Sequence, residues 1–254
     1  MKTFNDECID LTVTSPPYDN LRTYKGHTWD FESLAKELFR VTKQGGVVVW
    51  VVGDATVNGS ETGTSFRQAL YFMDIGFRLH DTMIWKKSPP PSVDIMLARY
   101  YQHFEYMFVL SKGKPKICNF LRDPKKYLDH RNFKTAQRGK DGNHSNGYAK
   151  CDKATKIRGN VWDIPVGGGH VTKDKEAYQH PAIFPEKLAH DHIISWSNEG
   201  DVVLDPFSGS GTTCKMAKLA NRNYIGIEVA KEYCEIAEQR INKSIPQTNL
   251  FKNV

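Results

Sequence analysis

The stretch that decides the fold runs from residue 202 to residue 213 and reads VVLDPFSGSGTT. Its apolar start predicts a short buried strand that ends at Asp205. Gly209 and Gly211 allow a tight turn and a close approach of the backbone to a ligand. A helix is expected next, and the following apolar run, YIGIE, ends at Glu228. The pattern therefore predicts a strand, a glycine-rich turn, a helix and a second strand.

This unit is typical of a site for an adenosine-like cofactor. It has neither the GxGxxG spacing of dinucleotide sites nor the GxxxxGK[ST] spacing of nucleoside triphosphate sites. A carboxylate at the end of the second strand, here Glu228, can accept hydrogen bonds from both hydroxyls of a ribose. The alternative is a helix-capping loop that binds no ligand, but the complete strand-to-Glu unit favours a cofactor site.

The rest of the chain alternates between predicted strands and predicted helices. Strands are expected at residues 10–15, 47–52, 78–85, 106–110, 202–204 and 224–228, and helices at residues 30–42, 65–75, 185–196, 212–220 and 230–241. Residues 86–91 are rich in proline, so no regular structure is expected there. The alternation predicts an α/β fold with a doubly wound, mainly parallel sheet and helices on both faces. Ligands of such sheets bind at the carboxyl ends of the strands.

One segment carries all of the excess positive charge. The 254 residues have a net charge of +6, whereas residues 112–158 alone hold 14 Lys and Arg against 4 Asp and Glu. The segment is also rich in Asn and Gly, a composition that predicts contact with DNA. A solvated loop is the alternative interpretation, and the two are compatible because such loops often become ordered on binding.

Composition excludes several classes of protein. No apolar run is long enough to span a bilayer and no secretory signal is present, so no membrane partner is expected. The five cysteines are scattered and form no CxxC pair, which supports neither a disulfide framework nor a zinc site. We therefore expect a cytoplasmic protein without a metal.

A second motif, TSPPY at residues 14–18, follows the first predicted strand. The exocyclic amino nitrogen of a base is a poor nucleophile because its lone pair is delocalised into the ring. The Ser15 hydroxyl and the Pro16 carbonyl could accept its two hydrogens and favour a geometry with an exposed lone pair. Pro17 stiffens the turn, and Tyr18 could stack on a base that has left the duplex. An ordinary strand-ending turn is the alternative.

Together the motifs resemble those of the amino-methylating DNA methyltransferases, which transfer methyl from S-adenosylmethionine to N4 of cytosine or N6 of adenine. TSPPY is similar to the catalytic motif, DPFSGSGTT to the motif at the methionine end of the cofactor, and YIGIE to the ribose-contacting strand. Residues 180–188, HPAIFPEKL, are similar to the segment that closes over the methionine moiety. The catalytic motif precedes the cofactor motif, which is the permuted β order of the family.

The resemblance implies a role for each matched residue. The catalytic residues would be Ser15, Pro16, Pro17 and Tyr18. The cofactor-binding residues would be Asp205, Pro206, Phe207, Ser208, Gly209, Ser210, Gly211, Thr212, Thr213, Glu228, Pro181, Phe184 and Lys187. The candidates for contact with DNA and the target base are Asp54, Trp85, Lys86, Lys125, Lys126, Arg131 and Lys134.

For two of these residues a structural role is an equally good interpretation, because Asp54 could cap a helix and Trp85 could belong to the core. The implied domains are a catalytic half at residues 1–111, a basic target-recognition insertion at residues 112–176 and a cofactor-binding half at residues 177–254.

The resemblance leaves the target base open. Serine in the catalytic motif favours N4 of cytosine, and N6 of adenine is the alternative.

The N-terminus departs from the family pattern, and the partners are also left open. Only nine residues precede Asp10, fewer than the family's additional strand and Gly-Asp turn need. Either the N-terminus is truncated or the adenine pocket is completed by other residues, and a catalytically silent DNA-binding module is a further alternative. Double-stranded DNA is the expected partner, with a homodimer and a cognate restriction endonuclease as further expectations.

Overall fold

The structure is a computed structural model that describes residues 1–17, 19, 29–88, 99, 100, 102–125, 129–138, 140–151, 154–167, 169–180 and 182–244, with only the backbone described at 129–138 and 144–151. These residues form two compact units, one of Met1–Asn119 with Asn160–Val254 and one of Phe120–Gly159. None of the described helices is both long and apolar enough to cross a membrane.

The strands are β1 Ile9–Thr14, β2 Thr42–Val52, β3 Thr56–Val57, β4 Ser60–Glu61, β5 Arg78–Ser88, β6 Phe104–Ser111, β7 Arg122–Pro124, β8 Asp129–Arg138, β9 His144–Cys151, β10 Thr155–Ile157, β11 Val161–Pro165, β12 Val202–Asp205 and β13 Asn223–Gly226. The α-helices are α1 Phe31–Val41, α2 Thr64–Asp74, α3 Glu186–Trp196, α4 Thr212–Leu219 and α5 Lys231–Lys243. A 3₁₀ helix covers Lys175–Gln179.

The larger unit contains a sheet of seven strands in the order β11-β5-β6-β2-β1-β12-β13. Four neighbouring pairs are parallel, and β6 is antiparallel to both β2 and β5. This arrangement confirms the predicted mainly parallel α/β fold. One local prediction is wrong, because residues 86–88 continue β5 instead of forming an irregular segment. They pair in parallel with residues 163–165 of β11, and that pairing keeps the chain extended.

Helices cover both faces of the sheet. On one face, Trp50 of β2 packs in a buried cluster with Leu38 of α1 and Phe72 of α2. Its indole Nε1 donates to Gln68 Oε1 at 2.9 Å, so the polar atom of this buried ring is satisfied. On the other face α3 packs against β1, and its buried His192 lies 3.2 Å from the Met107 sulfur of β6. The run of valines in β2 is buried throughout, as expected of a strand covered on both faces.

The smaller unit consists of two antiparallel strand pairs, β7 with β10 and β8 with β9. Arg158 Nε donates to Asp123 Oδ1 at 2.9 Å, and Arg122 Nε donates to Thr155 Oγ1 at 2.9 Å across the first pair. Side-chain hydrogen bonds therefore support a pair whose strands have only three residues each.

The sheet brings distant parts of the chain to one edge. The parallel strands all end there, and β6 begins there because it runs in the opposite direction. The motif after β1, the turn after β2, the glycine-rich turn after β12 and the first residues of β6 therefore meet at this edge, which is the usual ligand side of such a fold.

Candidate active site

A cavity of about 800 Å³ opens at this edge, within the range of about 300–1,000 Å³ typical of ligand pockets. The TSPPY motif contributes Ser15 and Pro17 to its wall. The chain after residue 177 contributes a second group of lining residues: Tyr178, His180, Ala182, Ile183, Phe184, Pro206, Phe207, Ser208, Gly209, Ser210, Thr212, Ile227, Glu228, Val229, Ala230 and Tyr233. One cavity therefore joins two parts of the chain that are far apart in sequence.

Hydrogen bonds hold β1 against β12 and α4. The Thr14 hydroxyl donates to Asp205 Oδ1 at 2.7 Å, and the Thr213 hydroxyl donates to the Val13 carbonyl at 3.1 Å. Both bonds are buried and join residues about 190 to 200 positions apart in the chain. Asp205 and Thr213 lie under the cavity and are not part of its lining. Their role in the structure is to fix the position of Ser15 relative to the glycine-rich turn.

The loop after β1 is held from outside the motif as well. Trp29 Nε1 donates to the Pro17 carbonyl at 3.1 Å, and the Trp29 ring packs edge-on against Phe207 at 4.9 Å. Pro16 is buried and does not line the cavity, and Tyr18 lies outside the described residues. Asp19 follows, and its carboxylate accepts from Ala55 N at 3.0 Å and from the Thr62 hydroxyl.

The glycine-rich turn needs its glycines for backbone reasons. Gly209 has φ +49° and Gly211 has φ +78°, both in the left-handed region that favours glycine. A Cβ on Gly209 would lie 2.8 Å from His180 Nε2, and one on Gly211 would lie 2.7 Å from the Cβ of Ala237. The turn therefore packs directly against its neighbours with no room for a side chain at either position.

Glu228 links the turn to the second strand of the motif. Its Oε2 accepts from Gly209 N at 2.9 Å, and its Oε1 accepts from the backbone N of Val229 and Ala230, each at 2.9 Å. An ionised carboxylate has about four acceptor positions, so it retains capacity for a ligand hydroxyl. With Phe207 and Ile227 beside it, Glu228 gives the cavity a polar anchor in an apolar wall. The acceptor positions of Glu228 and the apolar lining beside it fit the nucleoside cofactor that the motif implies.

Burial changes the acidity of the shared carboxyl group. Asp205 is 1% exposed, and burial raises its pKa to about 6. The hydrogen bonds from Thr14 and from Phe207 N, the second at 3.1 Å, act in the opposite direction because they favour the carboxylate. The Asp205 carboxyl therefore titrates closer to neutrality than an exposed aspartate does.

The wall beyond the catalytic motif is formed by Asp54, Trp85, Lys87, Gln102, Phe104 and Glu105. Asp54 accepts from Ser65 N at 2.9 Å and from the Ser65 hydroxyl, so it also caps α2. Trp85 is buried, and its Nε1 donates to the Ile164 carbonyl at 2.9 Å. Both residues therefore combine a structural role with a position on the cavity wall.

Lys86 lies on the opposite side of β5 from this wall. It pairs with Asp163 at 2.8 Å and does not line the cavity, because successive side chains of a strand point to opposite faces. Lys87 lines the cavity instead, pairs with the nearly buried Glu105, and lies 5.2 Å from the centre of the Trp85 ring.

The segment before α3 forms the remaining wall. The ring centroids of His180 and Tyr233 are 4.4 Å apart, and Phe184 lines the cavity. Lys187 lies outside this wall, because its ammonium group pairs with Asp191 at 2.6 Å along α3. Pro181 lies outside the described residues.

Three of the four basic candidates of the insertion, Lys125, Arg131 and Lys134, are described within the smaller unit. Lys125 N donates to the Ala154 carbonyl at 2.9 Å within that unit. Lys126 lies outside the described residues, and Arg131 and Lys134 are placed by their backbone in β8. Among the described residues, no group of three or more His, Cys, Asp and Glu is arranged to hold a metal ion.

Sequence reasoning missed several residues of the wall. Trp29, Tyr178 and Tyr233 belong to no motif, and single aromatic residues give no signal of their own. Lys87 and Glu105 could have been found from strand alternation, since Lys87 is two residues after Trp85. That inference requires β5 to extend to Ser88, and the prolines that follow Ser88 predict an earlier end of the strand.

Comparison with known proteins agrees with the motifs. The profile of the N6 and N4 methyltransferases, described as DNA methylase, matches residues 9–239. The orphan methyltransferase M.BamHII of Bacillus amyloliquefaciens is 58% identical over 243 residues, which are 94% of this chain and 91% of that protein.

Solved structures of similar fold include the complex of M1.HpyAVI with S-adenosylmethionine. It has a TM-score of 0.60 at 25% identity and covers 92% of this chain and 89% of its own. The cytosine-N4-specific PvuII DNA methyltransferase has a TM-score of 0.67 at 24% identity over 94% of this chain and 81% of its own, which shows the shared fold. The chain therefore belongs to the S-adenosylmethionine-dependent DNA methylases that act on N6 of adenine or N4 of cytosine.

Proposed function

We propose that this protein methylates N4 of cytosine in double-stranded DNA, on a base that has left the helix. The observation that carries the proposal is the single cavity lined both by Ser15 and by the glycine-rich turn with Glu228. A cofactor bound against that turn and a base bound against Ser15 would lie in the same cavity, which would bring the methyl group and the amino nitrogen together for transfer.

The cofactor residues are assigned from their positions in the wall. S-adenosylmethionine supplies an electrophilic methyl group when it is bound. Glu228 would accept hydrogen bonds from the ribose, and Phe207 and Phe184 would cover apolar surface and exclude water. The turn from Pro206 to Thr212 would lie against the methionine end of the cofactor. The backbone N–H groups of Phe207 and Gly209 already donate to Asp205 and Glu228, so they position the turn and do not bind the ligand.

Ser15 and its loop would hold the amino group. The Ser15 hydroxyl, on the cavity wall, is the proposed acceptor for one hydrogen of the amino nitrogen. The role of the Pro16 carbonyl as the second acceptor stays a prediction from the motif, because Pro16 is buried and does not line the cavity. The bonds from Thr14 to Asp205 and from Trp29 to Pro17 restrain this loop on both sides, so little reorganisation is needed before reaction. No covalent bond to the base is needed, since the amino nitrogen itself is the nucleophile.

Two features support cytosine over adenine. Serine at the first position of the motif is, by resemblance, the commoner form in enzymes that act on N4 of cytosine. The far wall also carries Lys87, held by Glu105, as a hydrogen-bond donor. Cytosine presents the acceptor O2 on its pairing edge, where adenine presents a C–H group. A donor at that end of the cavity therefore favours cytosine.

We also propose the division into a catalytic half at residues 1–111, a target-recognition insertion at residues 112–176 and a cofactor half at residues 177–254. The charge of residues 112–158 supports DNA contact by the insertion, because cations that neutralise phosphates release counterions. Replacing Lys125, Lys126, Arg131 and Lys134 together by Gln should flatten the salt dependence of DNA binding. An unchanged salt slope would remove these residues from the interface.

Three further expectations stay predictions: a homodimer, a cognate restriction endonuclease and a cytoplasmic location. They rest on the resemblance and on composition.

The identity of the modified base tests the proposal. The protein is incubated with mixed-sequence duplex DNA and S-adenosylmethionine that carries an isotopically labelled methyl group, and the digested nucleosides are identified by mass spectrometry. Labelled N4-methylcytosine is expected. Labelled N6-methyladenine would overturn the base assignment, and binding of cofactor and DNA without any labelled base would favour the silent DNA-binding module.

A further inference from the structure

Arg240 is a buried cation that no motif predicts. It lies on α5, and its side chain is 1% exposed. On one side, its Nη1 donates to the Ser210 carbonyl, to Ser210 Oγ at 3.1 Å and to Thr212 Oγ1 at 3.2 Å. These acceptors flank Gly211, so the guanidinium holds the glycine-rich turn from beneath.

The other side of the guanidinium holds the segment that forms the opposite cavity wall. Nε donates to Asp174 Oδ2 at 2.9 Å, and Nη2 donates to Glu186 Oε1 at 2.9 Å. Asp174 precedes His180, and Glu186 follows Phe184, so the two carboxylates bracket the lining residues between them. One side chain therefore joins the turn to both ends of the facing segment.

Lys215 completes the cluster. Its ammonium group contacts Asp174 Oδ2 at 2.8 Å and Glu186 Oε1 at 2.7 Å. Two cations and two carboxylates balance each other, which is the condition under which buried charges are tolerated. Burial opposes ionisation of Asp174, but the hydrogen bonds from Lys215 and Arg240 keep its pKa below the ordinary value.

Helix α5 contacts the same wall at a second point. Tyr233 lies two turns before Arg240, lines the cavity and packs against His180 at 4.4 Å between ring centroids. His180 in turn lies against Gly209 of the turn. The helix therefore holds the turn and the facing segment both from within the cavity and from beneath it.

We propose that Arg240 is a positioning residue for cofactor binding, which sets the distance between the glycine-rich turn and the segment around residues 180–184. The inference rests on the proposed role of these walls in holding S-adenosylmethionine. Lysine cannot replace arginine here. The planar guanidinium of arginine directs separate N–H groups to the turn and to both carboxylates, whereas the single ammonium group of lysine cannot reach all three at once.

The test measures cofactor binding separately from catalysis and folding. Arg240→Lys keeps the charge and removes the fork, and Lys243→Met is the control on the same helix, since it removes only the exposed pair with Glu176 at 2.5 Å. The dissociation constant for S-adenosylmethionine is measured by calorimetry, kcat at saturating cofactor by methyl transfer, and folding by circular dichroism. Arg240→Lys should raise the dissociation constant at least tenfold while kcat at saturation stays within about threefold, and Lys243→Met should change neither.

A folded Arg240→Lys protein with an unchanged dissociation constant would overturn the inference. If Arg240→Lys does not fold, Glu186→Gln removes the charge that Arg240 and Lys215 both contact on the facing segment, and the same rise in the dissociation constant is expected of it. An unchanged dissociation constant in folded Glu186→Gln protein would also overturn the inference. The proposed function is tested separately. If wild-type protein bound the cofactor but methylated no DNA, the proposed function would be wrong, and the dissociation constants of wild type and Arg240→Lys could still be compared.

Discussion

Asp205, at the end of β12, is a buried carboxyl group that both halves of the site share. It accepts from Thr14 in β1 and from Phe207 N in the glycine-rich turn. Burial raises its pKa to about 6 from an ordinary value of 3.8, against the effect of these two donors. The protonated form is therefore favoured in the folded protein relative to the unfolded chain.

This difference in pKa makes stability depend on pH. A raised pKa contributes stability that is complete below about pH 3.8 and is lost as the pH rises through about 6. At 1.36 kcal/mol per pH unit the loss is about 3 kcal/mol. Asp205→Asn keeps an acceptor oxygen but cannot titrate. Between pH 4 and pH 7, urea unfolding should therefore show wild type losing about 2 kcal/mol relative to the variant, because part of the loss already occurs below pH 4.

Ser60→Ala removes an exposed hydroxyl and changes no titratable group, so it is the control and should run parallel to wild type. If the Asp205→Asn curve also ran parallel to wild type across this pH range, the assigned titration of Asp205 would be wrong.

At the scale of elements, the unit from β12 to β13 could be predicted because its apolar runs and glycines leave few alternatives. The predicted strand, turn, helix and second strand all appear within about two residues of their expected bounds. By contrast, β11 is short and mixes polar with apolar residues, so its pairing with β5 depends on tertiary contacts that no local pattern encodes.

The conformation of the turn leads to a prediction at Gly209. Gly209→Ala would require a non-glycine residue at φ +49° and would place its Cβ 2.8 Å from His180. The His180 ring is restrained by Tyr233 and by Ala182 O, which lies 2.8 Å from its Nδ1, so it cannot simply move aside. We expect the dissociation constant for S-adenosylmethionine to rise at least tenfold, as measured by calorimetry.

Gly200→Ala is the matched control, because Gly200 has φ +86° and a Cβ there would meet nothing within 4 Å. Both variants should lose about 1–2 kcal/mol of stability from the left-handed backbone alone. Equal cofactor affinity in the two variants would show that the turn tolerates a side chain and would contradict the assigned role of Gly209.

At the scale of the whole molecule, the site exists because the fold joins segments that lie far apart in sequence. Sequence motifs predicted both ends of the cavity, since each motif carries its own chemistry. They could not identify Trp29, Lys87 or Arg240, which reach the site through tertiary contacts alone. Nor could they show that Lys86 pairs with Asp163, because that contact depends on the register between β5 and β11.

The central claim is that Ser15 holds the amino nitrogen of the base at one end of the cavity while the other end binds the cofactor. Ser15→Ala tests it most directly, with Ser60→Ala as an exposed control whose hydroxyl donates to the neighbouring Glu61 carbonyl. Single-turnover methyl transfer at saturating DNA and the dissociation constant for S-adenosylmethionine are measured on the same preparations. We predict a loss of about 10²-fold or more in the rate for Ser15→Ala, with cofactor affinity within about threefold of wild type. An unchanged rate, or equal losses in rate and affinity, would contradict this account.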